Sequence, residues 1–143
     1  MEGTNMPLAR PQGTLVYLIT PRRELVMMLR DEGGTHCWPR YWAVLGGQPD
    51  DGETTAMTAR REVREEAGVD ITDLVEIEVE AYEMGKTPPH VFWALWDGTE
   101  ADLVKGAEGQ ALVLVPVDDV ASMKVPPHIA HYLPQILAHL ERG

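Results

Sequence analysis

The chain has little that would cross-link it, anchor it or hold it to a polyanion. A single cysteine, Cys37, stands among 143 residues, so no internal disulfide forms. That usage fits a reducing compartment, and a cytoplasmic location is expected. No apolar run reaches transmembrane length and the N-terminus lacks a signal-peptide pattern, so no membrane partner is expected. Lysine and arginine number 12 against 23 aspartates and glutamates, a net charge of −11 with no basic tract. Binding to duplex nucleic acid through its phosphates is therefore disfavoured. A small anionic substrate remains open, through a metal ion and a few local arginines. Five histidines make no H-x-x-x-H pair; His128 and His131 read as a partly exposed pair rather than a metal site. There is no repeat, low-complexity tract or linker. Residues 1–143 read as one domain, long enough for a proper core.

What the chain does have is the stretch Gly47 to Val69, GQPDDGETTAMTARREVREEAGV. A glycine pair, Gly46-Gly47, leads into an acidic turn. From Glu53 no proline or glycine intervenes until Gly68, which predicts one helix with Thr54 or Thr55 near its start and Gly68 as its stop. At about 100° per residue, Glu62, Glu65 and Glu66 share an arc of roughly 100°. Ala56, Ala59, Val63 and Ala67 fall on an adjoining apolar arc, which predicts carboxylates at the edge of the buried face. Like charges so placed raise one another's pKa, and a divalent cation relieves them. Clustered carboxylate oxygens suit Mg2+ or Mn2+. The plain alternative is a solvated acidic face paired with Arg60, Arg61 and Arg64.

The spacing G47-x5-E53-x7-R61-E62-V63-x-E65-E66-x-G68-V69 fixes nine positions within 23 contiguous residues. It resembles the Nudix box, the signature of the Nudix hydrolase family. The resemblance implies an α/β fold, an α/β/α sandwich with a mixed β-sheet and the box as loop–helix–loop. It implies hydrolysis of a nucleoside diphosphate linked to another moiety, with Mg2+ or Mn2+ as cofactor. Glu62, Glu65 and Glu66 would hold the metal, a backbone carbonyl at Gly46 or Gly47 would complete the set, and Arg61 would pair with Glu53 to hold the loop–helix–loop, with a place for Glu53 in the outer metal shell left open. Glu108, in AEGQALVLV, resembles the glutamate of a K-E-G-Q run in MutT-type enzymes, as metal ligand or general base; the alternative is a plain loop acid. The water's base stays open among Glu62, Glu66 and Glu108. Nudix proteins often dimerise, so a homodimer stays open too.

Residues 1–12 read as a loose N-terminal arm. Gly13–Thr20 and Leu25–Leu29 read as a hairpin. Arg30 follows directly; arginines there commonly face substrate in Nudix proteins, and a surface arginine is the alternative. Residues 31–35 read as a turn. Trp38, Arg40 and Trp42 are candidates for a nucleobase platform, with core packing the alternative for Trp42 and exposure expected for Trp38 and Arg40. Val75–Met84 alternates apolar and acidic residues and predicts a strand exposed on one side. His90–Trp96 predicts a central strand. Asp97–Gly109 reads as a mobile loop, Ala111–Val115 as a strand, and Pro116–Ala121 as a turn with a short helical piece. A final amphipathic helix carries Ile129, Leu133, Ile136, Leu137 and Leu140, with Pro134 expected to kink it or confine its regular part.

Substrate class is less marked. Val125-Pro126-Pro127-His128-Ile129 resembles the MutT-type P-P-x-N, with isoleucine in place of the asparagine that reads oxidised guanine. Leu45 stands where many Nudix enzymes have proline. The short chain leans towards nucleoside triphosphates. Nucleotide sugars, ADP-ribose, dinucleoside polyphosphates and a non-catalytic nucleotide-binding module are the alternatives.

Overall fold

The structure, a computed structural model, describes residues 13–31, 38–83 and 87–142. The arm expected at 1–12 and Cys37 lie outside the described residues. Strands β1 (Thr14–Ile19) and β2 (Glu24–Leu29) form the expected hairpin, and β3 (Trp42–Ala43) follows. Helix α1 spans Thr55–Ala67, β4 Val75–Ile77, β5 His90–Leu95, β6 Ala111–Pro116 and α2 Pro127–Arg142. The sheet runs β3-β2-β1-β5-β4, with β6 paired to β2. β1 and β5 are parallel and the other pairs antiparallel, so the sheet is mixed.

Both faces of the sheet are covered, which explains the near-continuous apolar runs in β1, β2 and β5. Alternate residues serve opposite helices. Val16, Leu18, Val26 and Phe92 pack on Ala59, Val63 and Ala67 of α1. Tyr17, Ile19, Leu25, Met27 and Val91 pack on Ile129, Tyr132, Leu133 and Ile136 of α2. Each large aliphatic side chain so buried contributes about 1.5–3 kcal/mol.

α1 is bounded as its sequence requires. Thr54 caps it by accepting from the Met57 N–H at 3.1 Å, and Gly68 ends it in the left-handed region at φ 71°. Ala56 is exposed, however. Thr58 is buried in its place, its hydroxyl donating to Glu53 and to the Thr54 carbonyl.

The sheet opens at one end. β1 and β2 pair at Ile19 and Leu25 and then part. Residues 42–47 enter the gap: Trp42 and Ala43 pair with β2, while Leu45 bridges Val16. The Leu45 carbonyl accepts from the Val16 N–H at 2.7 Å and the Gly47 carbonyl from the Thr14 N–H at 2.8 Å.

The length of one strand, the structureless reading of 97–109 and the confinement of the last helix need correction. The strand from Val75 ends at Ile77. Its ladder partner β5 begins at His90, and the preceding residues, Pro88 and Pro89, have no N–H to continue the pairing. Glu80 and Tyr82 instead donate their N–H groups to Gln135 and Tyr132 of α2. The 97–109 segment carries a 3-10 turn at Glu100–Asp102 and is bonded to the end of α1 through the Val104 N–H. α2 runs unbroken through Pro134, held by Tyr132, Leu133 and Ile136 on the sheet. No helix among the described residues is long and apolar enough to cross a membrane.

Candidate active site

Gly46 and Gly47 bring backbone against the acidic face of α1. Gly46 sits at φ 145°, and a Cβ there would stand 2.1 Å from the Thr14 carbonyl oxygen. A Cβ on Gly47 would stand 1.6 Å from Oε2 of Glu62. Only glycine permits both approaches. The Gly46 N–H donates to Oε1 of Glu66 at 2.9 Å. The Gly47 carbonyl is taken by Thr14, and among the described residues no donor reaches the carbonyl of Gly46.

The three helix carboxylates do not share one environment. Glu66 is 5% exposed, and the Glu62 side chain 13%. Both line the same cavity. Glu65 lies outward, its side chain 58% exposed. Burial pushes Glu66 up to about 8; Glu62 and Glu108 push the same way, against the Gly46 N–H and Arg30. Burial also raises Glu62 to about 7, with Glu65 and Glu108 adding and Arg61 opposing. Glu108 reaches the cavity from the loop before β6 and is itself exposed.

Arg61 ties this group together. Its Nε and Nη2 donate to the two oxygens of Glu53 at 2.7 and 3.0 Å. Its Nη1 donates to Glu62 and Glu65, each at 3.1 Å, and Nη2 also reaches the Gln48 carbonyl at 3.1 Å. The hydrogen bonds from Arg61, aided by the Asp50 N–H and Thr58, hold Glu53 down to about 2. Glu53 therefore faces the arginine and is not part of the cavity wall.

The cavity has a volume of about 600 Å3 and lies against the 43–48 strip, with Leu15 and Met28 of the parted strands in its wall. Gly46, Gly47, Glu62, Glu66 and Glu108 line one part; Arg30, Trp38, Pro126 and His128 line another. Among the described residues Arg30 makes no side-chain hydrogen bond or ion pair. Trp38 is 37% exposed, with Tyr41 edge-on at 5.1 Å and His128 at 6.3 Å. Trp38 and Arg40 are both exposed and hold left-handed backbone at φ 65° and 64°. Such conformations in non-glycine residues are strained and concentrate at functional sites. Arg40 does not line the cavity. Neither does Trp42, which packs against the α2 core because β3 turns its side chain to that face.

Sequence reasoning passed over Asp31 and His128, both of which line the cavity. Asp31 sat in an unremarkable turn. His128 was paired with His131, yet the two part: His131 lies against Tyr82 and the Glu80 carbonyl. Burial and Arg30 hold His128 below the usual imidazole value, so it stays neutral near pH 7.

Among the described residues no three His, Cys, Asp or Glu side chains already stand at ligand spacing. The donor chemistry nevertheless fits a hard divalent cation. Glu62, Glu66 and Glu108 offer oxygen only, and two of them are held above the ordinary carboxylate range by burial and mutual repulsion. A cation between them reverses that repulsion.

Residues 9–136 match the NUDIX domain family. The chain is 32% identical over 120 residues to a CMP-5'-(N-acetyl-N-hydroxy-3-aminopropyl)phosphonate hydrolase of Streptomyces rubellomurinus, covering 79% of this chain and 55% of that protein. This chain thus spans about half the length of that relative. Among solved structures, it resembles an Ap4A hydrolase of C. elegans with a TM-score of 0.71 at 18% identity, covering 92% of this chain and all of that one (100%). It also resembles a MutT described for Aliivibrio salmonicida and Vibrio cholerae, with a TM-score of 0.68 at 19% identity over 92% and 99% of the two chains. Likeness to both does not single out the MutT branch; at these identities it shows the shared α/β fold.

Proposed function

The chain belongs to the Nudix hydrolase family, and we propose that it hydrolyses a (deoxy)nucleoside triphosphate to a monophosphate and pyrophosphate in the manner of the MutT-like branch. The observation that carries the hydrolytic reading is the pairing of Glu62 and Glu66 beside the Gly46–Gly47 strip, in one cavity with Arg30. A net charge of −11 makes a bound cation the natural means of receiving a polyphosphate.

Nudix enzymes generally use a divalent metal. Glu62, Glu66 and Glu108, with the Gly46 carbonyl and with Glu65 from the outer flank of the same arc, would hold Mg2+, and Mn2+ in its place. When bound, the ion neutralises charge on the phosphate oxygens and acidifies water. The residues of the chain do the rest. Arg30 binds a phosphate oxygen or the base edge, and Trp38 offers a ring face to the base. Arg61 orients Glu62 while its grip on Glu53 holds the turn. One of Glu62, Glu66 and Glu108 takes the proton from the attacking water. The hydroxyl joins one phosphorus, and the bridging oxygen departs with the other.

A second reading has one specific support. The Streptomyces rubellomurinus relative is named for a CMP-linked phosphonate, and its 32% identity exceeds the 18–20% of the MutT and Ap4A structures. On that reading the substrate is a nucleoside monophosphate joined to a non-nucleotide phosphoryl group, a class that includes nucleotide sugars and ADP-ribose. Product analysis with Mg2+ and a pooled panel of these compounds separates the two. Monophosphate and pyrophosphate from one triphosphate, lost in Glu66→Gln, upholds the first. Turnover confined to the linked monophosphates upholds the second. Nucleotide binding without any turnover overturns both and leaves a binding module.

A further inference from the structure

Glu108 enters the cavity from a loop that is fastened on two sides. Towards α1, the Val104 N–H donates to the Ala67 carbonyl at 2.8 Å and the Gly106 N–H to that of Glu66 at 3.4 Å. Towards β2, the Gln110 N–H donates to the Leu29 carbonyl at 2.8 Å. Within the loop, the Lys105 ammonium donates to the carbonyls of Gly106 and Gly109 at 2.8 and 3.1 Å. Among the described residues one side chain from outside residues 104–110 is hydrogen-bonded to that part of the loop. It is Asp31, whose Oδ2 accepts the Gly109 N–H at 3.1 Å.

Gly109 is buried while Glu108, beside it, is exposed. A buried N–H without an acceptor is costly, so the loop is built around the Asp31 carboxylate. The bond spans 78 residues of sequence and joins the end of β2, next to Arg30, to Gly109, the neighbour of the one cavity glutamate that is not on α1. We propose that Asp31 is a positioning residue, fixing the Gly109 peptide and through it the place of the Glu108 carboxylate opposite Glu62 and Glu66. This inference rests on the reading of Glu108 as part of the hydrolytic site.

Asp31 also lines the cavity, so the test must separate positioning from direct contact. Four variants serve: Asp31→Ala, Asp31→Asn, Glu108→Gln and the double Asp31→Ala/Glu108→Gln. Each is measured for kcat with Mg2+ and, without substrate, for Mn2+ affinity from the paramagnetic resonance of the free ion. Loss of such an outer partner typically costs about 10–100-fold in metal affinity or activity, and that fall is expected in both readouts for Asp31→Ala. Asp31→Asn keeps an acceptor oxygen and stays close to wild type. The double variant falls no further than Glu108→Gln alone, because both changes disable one carboxylate. Additive losses, or Asp31→Asn as weak as Asp31→Ala, overturn positioning in favour of direct contact. A fall in Glu108→Gln with none in Asp31→Ala overturns the role of Asp31 alone. Wild-type behaviour in Glu108→Gln overturns the reading of Glu108, and the positioning role with it.

Discussion

Arg61 holds Glu53 by both edges, Nε to Oε2 at 2.7 Å and Nη2 to Oε1 at 3.0 Å, while its remaining nitrogen reaches Glu62. One guanidinium thus sets the acidic turn before α1 and a carboxylate within it. Lysine has a single ammonium and cannot keep the paired bonds together with the one to Glu62. Arg61→Lys is expected to lower kcat by about tenfold or more. Steady-state kinetics beside a thermal melt checks it: a fall in Tm with kcat intact would confine Arg61 to stability.

The Arg61 grip also gives Glu53 a pH signature. Its folded value, about 2, lies below the ordinary 4.5. The pairing therefore stabilises fully above 4.5, and that contribution is lost as pH falls through 4.5 towards 2. Glu53→Gln should show a shallower decline of Tm across that window than wild type. Parallel declines would remove Glu53 from the acid response.

Glu66 has the opposite sign. Its folded value of about 8 means the folded protein retains a proton that the unfolded chain has released. In metal-free protein, stability falls as pH rises from 4.5 to 8. Glu66→Gln, which keeps an acceptor for the Gly46 N–H, should melt at least ~3 °C above wild type at pH 8 in the presence of a chelator. The same variant should lose activity by at least about a hundredfold. Melting curves at pH 5 and 8 check the first part; an unchanged Tm difference between them would refute it.

Alanine at the two glycines should separate folding from chemistry. At Gly46 the new methyl meets backbone, the Thr14 carbonyl, and the φ of 145° resists it. The expected cost is at least about 2 kcal/mol in urea unfolding. At Gly47 the methyl meets the carboxylate of Glu62, which can swing aside. Gly47→Ala should stay folded and lose turnover. Equal unfolding costs at both positions would count against this distinction.

Tyr17 donates its hydroxyl to the Ile129 carbonyl at 2.8 Å, joining β1 to the first turn of α2. Tyr17→Phe removes a second donor from a carbonyl that the helix already pairs, and should cost about 0.5–1.5 kcal/mol. A change within ~0.2 kcal/mol would mean that the Tyr17 hydroxyl adds nothing to the helix's own bond.

Much of this was legible in the chain. The helix from Thr55 to Ala67 was bounded by its own cap residues, and the two-sided apolar runs announced a covered sheet. Periodicity placed Glu62 and Glu66 at the edge of the core. It did not separate Glu65, because the sheet shields only one flank of the acidic arc. Trp38 is exposed, as its sequence context suggests, and Trp42 meets the core, the alternative weighed for it, because a two-residue strand turns it there. The bond from Asp31 to Gly109 carries no local signal at all, since its ends are 78 residues apart.

The strip from Trp42 to Gly47 is hydrogen-bonded into the parted sheet on both flanks. The backbone that meets Glu62 and Glu66 is therefore hydrogen-bonded as a strand is, although it turns like a loop. Trp38, Pro126 and His128 come from segments outside the sheet. On the proposed reading, the group that would hold the metal and the group that would meet the base are therefore mounted on different parts of the fold, and substitutions at Trp38 or His128 would alter ligand preference while the hydrogen-bonded strip stays in place.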